Sequence, residues 1–350
     1  MSQSSRASRA LQRAVAISAL CIAAPAVAQR PVLTVQQSGS SALFQAVSVS
    51  ARDPDVVWIS GHAGTYAVTR DGGASWSARV VPGHDSLQFR DLHAVDAKRA
   101  WLMAAGTGDK SGIFQTVDGG ASWTQVFVNR DTAAFYDCMA FWDDTHAFAF
   151  SDAVAARIPI VRTENGRDWT VSSIAALDGE GGFAASGSCA LTSSGGDAWI
   201  ATGSAATPRV WRSGDRGATW QTSVLPIVGG AGAGATAVAF RDRLHGIAVG
   251  GAIGSKATGP RAARTSDGGV TWTVSPDPSF SGAVYGAAYG VSGSSAILIA
   301  VGPGGASWSA DDGVTWAVLD SAAYWSVGFS SSGAAWLVGP RGRVVRVDWR

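Results

Sequence analysis

Glutamate is scarce in this chain of 350 residues: only Glu164 and Glu180 occur, in a protein that otherwise uses aspartate as its acid. Glu180 lies in Asp178-Gly179-Glu180-Gly181-Gly182. A carboxylate in that setting can serve as a general base, contact a ligand, or bond to nearby loop amides. Paired with Asp91 or Asp137, and with Tyr324 nearby, it would supply the acid and base of a glycoside hydrolase or lyase. A second set of polar residues suits binding instead: Arg90, Asp91, Tyr136, Asp137, Asp152, Arg157, Glu180, Tyr285 and Arg341. Acids, tyrosines and arginines in one ring can hold a polar ligand or a peptide terminus; the same residues can equally be solvated surface groups. They are spread over most of the chain, so only the fold can bring them together.

Other chemistries lack their signatures. There is no Gly-x-Ser-x-Gly elbow, no phosphate loop ending in Gly-Lys and no His-Glu-x-x-His helix. The five histidines, His62, His84, His93, His146 and His245, show no metal-ligand spacing, and no nucleotide or flavin signature appears, so neither metal nor cofactor is expected. With 27 basic and 26 acidic residues, no broad field for nucleic acid is expected either.

The elements that must position these residues announce themselves through a repeat, Ser/Thr-x-Asp-x-Gly-x-x-Trp. Five copies place Asp71 with Trp76, Asp118 with Trp123, Asp215 with Trp220, Asp267 with Trp272 and Asp311 with Trp316. A worn sixth copy, read over Arg162 to Trp169, puts Glu164 at the acidic position. A period near 50 residues implies one small β-sheet per repeat. Within each copy the acid can accept amides across a tight bend, glycine supplies positive φ, and tryptophan covers the join. The turn therefore speaks of structure rather than activity.

Each repeat reads as four strands. Blade one comprises Phe44 to Val49, Val56 to Ser60, Thr65 to Thr69 and Ser77 to Val81, and blades two to six begin near Phe89, Phe135, Phe183, Thr236 and Val284. A seventh blade begins at Tyr324, continues through Ala335 to Val338 and Arg343 to Val347, and lacks a fourth strand. Pro31 to Gln37 is a β-prone segment without a partner in its own repeat, so it is expected to close the ring by pairing with Arg343 to Val347. The predicted fold is an all-β, seven-bladed propeller, with function on the face opposite the acidic turns, where loops converge on the central channel.

The first 28 residues form a separate region. Arg6, Arg9 and Arg13 precede an apolar run from Ala14 to Ala24 and then Ala26-Val27-Ala28, which reads as a signal peptide cleaved before Gln29. Residues 29–350 are then one propeller domain, periplasmic or secreted, with no membrane-spanning segment in the mature chain. Cys138 and Cys189 fall on innermost strands of adjacent blades, where a disulfide and two buried thiols are both compatible with the sequence.

The acidic turn resembles the Asp box, or bacterial neuraminidase repeat. Sialidases with this repeat use an arginine triad, a Tyr–Glu pair, an Asp acid and an Arg-Ile-Pro motif. Arg157-Ile158-Pro159 matches the tripeptide, although it falls two repeats later than in that family. The stretches Tyr136-Asp137-Cys138-Met139-Ala140-Phe141-Trp142-Asp143, Gly182 to Cys189 and Arg209 to Gly217 are more similar to the photosystem II stability and assembly factor propellers and their bacterial relatives. That resemblance implies a scaffold binding a protein or peptide; the sialidase likeness implies carbohydrate.

Overall fold

The computed structural model describes residues 30–253 and 256–350, so the segment read as a signal peptide, residues 1–28, lies outside the described residues. Seven antiparallel sheets of four strands each run outward from a central axis. In blade one the strands are Phe44–Val49, Val57–Gly61, Thr65–Thr69 and Ser77–Val80. Second strands are buried along most or all of their length, entirely so in Val57–Gly61, Ala100–Ala104 and Ala147–Ser151, because both of their faces meet neighbouring blades. Outermost strands such as Gln221–Val224 are mostly exposed.

Pro31–Gln37 pairs antiparallel with Arg343–Trp349, from Pro31 opposite Trp349 to Gln37 opposite Arg343. The N-terminal strand thus completes blade seven as its outermost member, after Ser326–Phe329, Ala335–Val338 and Arg343–Trp349. Every blade then has four strands, and the ring is closed within a sheet.

The core is divided among the joins between blades. Trp58 and Tyr66 of blade one pack with Leu92, Leu102 and Phe114 of blade two. Trp123, from the acidic turn of blade two, meets Trp58 and Tyr66 edge-on, with ring centroids 6.2 and 5.2 Å away. The intact turns share one hydrogen-bond circuit. In blade one, Thr69 Oγ1 donates to Asp71 Oδ1 at 2.7 Å, Asp71 accepts the Ser75 amide and hydroxyl, and the Gly73 amide donates to Thr69 Oγ1. Equivalent bonds form at Asp118, Asp215, Asp267 and Asp311.

Two expectations need correction. The worn turn is one residue shorter, and Asn165, not Glu164, takes the acid's place: its Oδ1 accepts the Arg167 and Asp168 amides at 2.9 and 2.8 Å. Glu164 points to solvent, with its side chain 81% exposed. Blade four also begins later than Phe183, at a short innermost strand, Ala190–Thr192. The residues before it make no strand because they cross the channel.

Candidate functional site

The loop leading from blade three into blade four builds the face opposite the acidic turns, and Glu180 anchors it. The Glu180 side chain is fully buried and its two oxygens accept from Arg209, Thr202, Trp211 and the Leu177 amide. Arg209 Nε lies 3.0 Å from Oε1, and its guanidinium stacks over the Trp211 ring. Burial alone would raise the Glu180 pKa, but these donors outweigh it and hold the group below its ordinary value. A carboxylate so occupied has no free lone pair directed at a substrate. Of the nearby loop amides only that of Leu177 reaches Glu180, and the main partner is instead a buried cation 29 positions away.

From Glu180 the chain runs inward through two further carboxylates. Asp137 and Asp152 face each other, and the Gly182 amide points toward both. Burial, followed by the charge of Asp152, pushes Asp137 far above the usual carboxylate range; burial also raises Asp152. A proton on Asp137 donated to Asp152 relieves the repulsion between them. Gly181 and Gly182 are required by this arrangement. A Cβ on Gly181 would lie 1.8 Å from Asp152 Oδ1, and one on Gly182 would lie 2.8 Å from Asp137 Cβ.

Beyond Gly182, Ala184 to Ser188 cross the centre of the ring. Ala184 O accepts from Arg90 of blade two, Ser186 Oγ donates to Tyr285 O of blade six, and Ser186 O accepts from Ser326 Oγ of blade seven. Asp91 is buried beside Gly187, accepting the Leu92 and Met139 amides at 2.7 Å each and so linking blades two and three. Burial raises the Asp91 pKa despite those two amides. The channel is therefore interrupted by the protein's own backbone, over a cavity of about 220 Å³ lined by Val47, Leu92, Ser186, Val238, Tyr289 and Val327.

The residues expected to ring the channel mouth consequently separate. Arg90, Asp137, Asp152 and Glu180 do come together, in a recess of about 460 Å³ walled by Phe135, Phe183, Ala184 and Ser204. Within it Asp137 and Glu180 are interior groups, at 1% exposure each, whereas Arg90 and Asp152 are half-buried. Asp91 is likewise interior rather than a ligand contact. Tyr136 is buried against Phe127 and borders, with Arg157, a different cleft of about 700 Å³ between the outer parts of blades two and three. Arg157 is exposed and bonds to Ser173. Tyr324 is buried with its hydroxyl on Asp320, and Arg341 occupies an exposed turn of blade seven with φ of 58°. Tyr285 is half-buried and packs edge-on to Trp325. Arg90, Arg157 and Arg341 thus occupy separate places and make no arginine triad, and Tyr324 lies outside the recess that holds Glu180.

Arg209, Ser204 and Phe135 belong to the site although the sequence did not single them out. The available signal was the isolated Glu180, whose burial would require a cation at a strand start on the same face. Cys138 and Cys189 form a disulfide, with Cα atoms 5.8 Å apart, joining blades three and four directly behind the loop.

No family model matches the chain, and no curated protein matches it. Solved structures do. A structure of YCF48 bound to D1 peptide aligns with a TM-score of 0.62 at 18% identity, covering 90% of this chain and 96% of that one. At such identities the likeness is one of fold. YCF48 from Cyanidioschyzon merolae aligns with a TM-score of 0.64 at 15% identity, over 90% and 98% of the two chains. The Pan2 WD40 domain of Neurospora crassa gives 0.59 at 10%, over 87% and 89%. The chain is thus a seven-bladed propeller similar to YCF48 in architecture.

Proposed function

We propose that this chain is a non-catalytic, exported propeller that binds a protein or peptide at the recess formed by blades two, three and four. The observation that carries this reading is the state of Arg90. Its guanidinium is half-buried over the Phe135 ring, yet its hydrogen bonds go to neutral oxygens, Gln88 Oε1 and Ala184 O. A cation whose hydrogen bonds go to no carboxylate, and whose charge is matched only through space by Asp137, keeps N–H donors for the carbonyl oxygens of a peptide. The YCF48 structure solved with D1 peptide supports a peptide as the class of ligand. Export is supported by the disulfide, which persists in oxidising compartments.

A glycoside hydrolase reading draws no comparable support, because Glu180 and Asp91 are already held by protein donors. The test is capture of partners from the exported fraction by the parent, by Arg90→Ala, and by an Arg157→Ala, Arg341→Ala double variant, with a glycoside screen alongside. We expect capture to be lost only with Arg90→Ala and no glycoside to be cleaved. Turnover abolished by Glu180→Gln in a variant that stays folded would overturn the proposal. Mass spectrometry of the exported chain is expected to find Gln29 at its N-terminus.

A further inference from the structure

The recess contains more acid than its own cations neutralise. Asp137 is 1% exposed, and among the described residues no amide, hydroxyl or cationic donor reaches its Oδ2. It faces Asp152, which is half-buried and borders the open space with Ser204 and Phe135. The loop is shaped around the two carboxyls, since Gly181 and Gly182 leave no room for a Cβ beside them. Other charged groups face the pair from each neighbouring element. Arg90 approaches from blade two and is felt electrostatically by His62 of blade one; Glu180 in the loop is already matched by Arg209 of blade four. Arg90 therefore balances one negative charge, and a shared proton cancels the other.

We propose that Asp152, backed by Asp137, receives a primary ammonium group of the partner, which takes the place of the proton shared by the two carboxyls. This rests on the recess being the ligand site. The ammonium N–H groups would donate to Asp152 while Asp137 gives up its proton to solvent, so that charge balances before and after binding. Desolvated, charge-assisted bonds of this kind are the strong ones. Because one proton leaves, affinity rises with pH while the pair still holds it, approaching about tenfold per pH unit. The source of the amine is distinguishable, since an α-ammonium loses its charge near pH 8 and a lysine ammonium only near pH 10, about two units higher.

The experiment follows the Gly181, Gly182 and Ala184 amides of the ¹⁵N-labelled propeller by NMR. Three probes are titrated at pH 5.5, 7.0 and 9.0: Nα-acetyl-lysine methylamide, glycinamide, and the neutral Nα,Nε-diacetyl-lysine methylamide. Saturable shifts are expected with a charged amine and not with the neutral probe, with tighter binding at pH 7.0 than at 5.5. Partner capture retained at pH 9.0 identifies a lysine-type ammonium, and capture lost there identifies an α-amine. Asp152→Asn should weaken binding by about tenfold or more. Asp137→Asn, which retains the Asp152 charge, should flatten the pH dependence. Shifts that are absent, that match those of the neutral probe, or that survive Asp152→Asn would overturn the proposal and leave the pair a structural contact. Partner capture that is equal for the parent and Asp152→Asn would also overturn it while leaving the Arg90 reading intact. Amine binding without any captured partner would support the ammonium site and count against the broader function.

Discussion

Glu180 shows how a residue that stands out chemically can be committed to structure. Its carboxylate joins Arg209, Thr202, Trp211 and the Leu177 amide, so it fixes the loop that forms the recess. Glu180→Gln retains the size and some of the hydrogen bonds but removes the charge opposite Arg209, whose side chain is only 15% exposed. Breaking a buried pair by changing one partner typically costs about 3 kcal/mol or more. Denaturant unfolding of the variant should show a loss of that size, accompanied by a weaker hold on the loop. Unchanged stability would mean that Arg209 reaches water once its partner is gone. Asp91 and Asp137 follow the same logic, since each is interior and each is placed against backbone amides of a neighbouring segment.

Among the elements, the acidic turn is the repeated unit, and its tryptophan acts across blades. Trp123 lies edge-on to Trp58 and Tyr66 of the preceding blade, whereas Trp169 of the shortened turn meets Phe127 at 6.3 Å in a tilted contact. Trp123→Ala should cost about 3 to 5 kcal/mol, in the range of buried aromatic truncations. Trp169→Ala should cost less, by roughly 1 kcal/mol, because it forfeits fewer favourable aromatic geometries. Thermal and denaturant melts of the two variants decide the point, and equal losses would show that the turn's exact form does not govern how its tryptophan packs. The shortened turn was visible in the sequence as a departure from the repeat. Its alignment was not, because Glu164 preserves the charge while Asn165 preserves the geometry, and geometry sets the hydrogen bonds.

At the scale of the whole molecule, acids with opposite pKa shifts give stability a definite dependence on pH. Hydrogen bonds from Ser75, Ser122 and Thr219 hold Asp71, Asp118 and Asp215 at about 2, below their unfolded value. Their contribution is present above about pH 4 and is lost as pH falls toward 2. Burial raises Asp91 and Asp137, so their contribution is complete below about pH 4 and diminishes as pH rises through their folded values. Stability should therefore be greatest on the acid side of neutrality, increasing from pH 8 to about 5 and falling below 4. Unfolding free energies measured across that range test it; a maximum at or above pH 8 would show that the buried acids are ionised in the folded protein.

Periodic features were legible in the amino-acid order because they depend on local chemistry. The acidic turns require particular residue types within eight positions, strand alternation repeats with them, and Pro31–Gln37 had no partner within its own repeat, so closure against Arg343–Trp349 followed. The joining of Cys138 to Cys189, and the pairing of Glu180 with Arg209, depended on distances that only the packed ring establishes. The channel shows the limit most clearly. Phe183 to Ser188 has the composition of a small-residue strand, but the shape of its surroundings sends it across the axis to Arg90, Tyr285 and Ser326. Those partners come from three other blades. Contacts of that range are set by the closure of the whole ring, which is why tertiary structure alone decided which of the polar residues form a recess and which became interior supports.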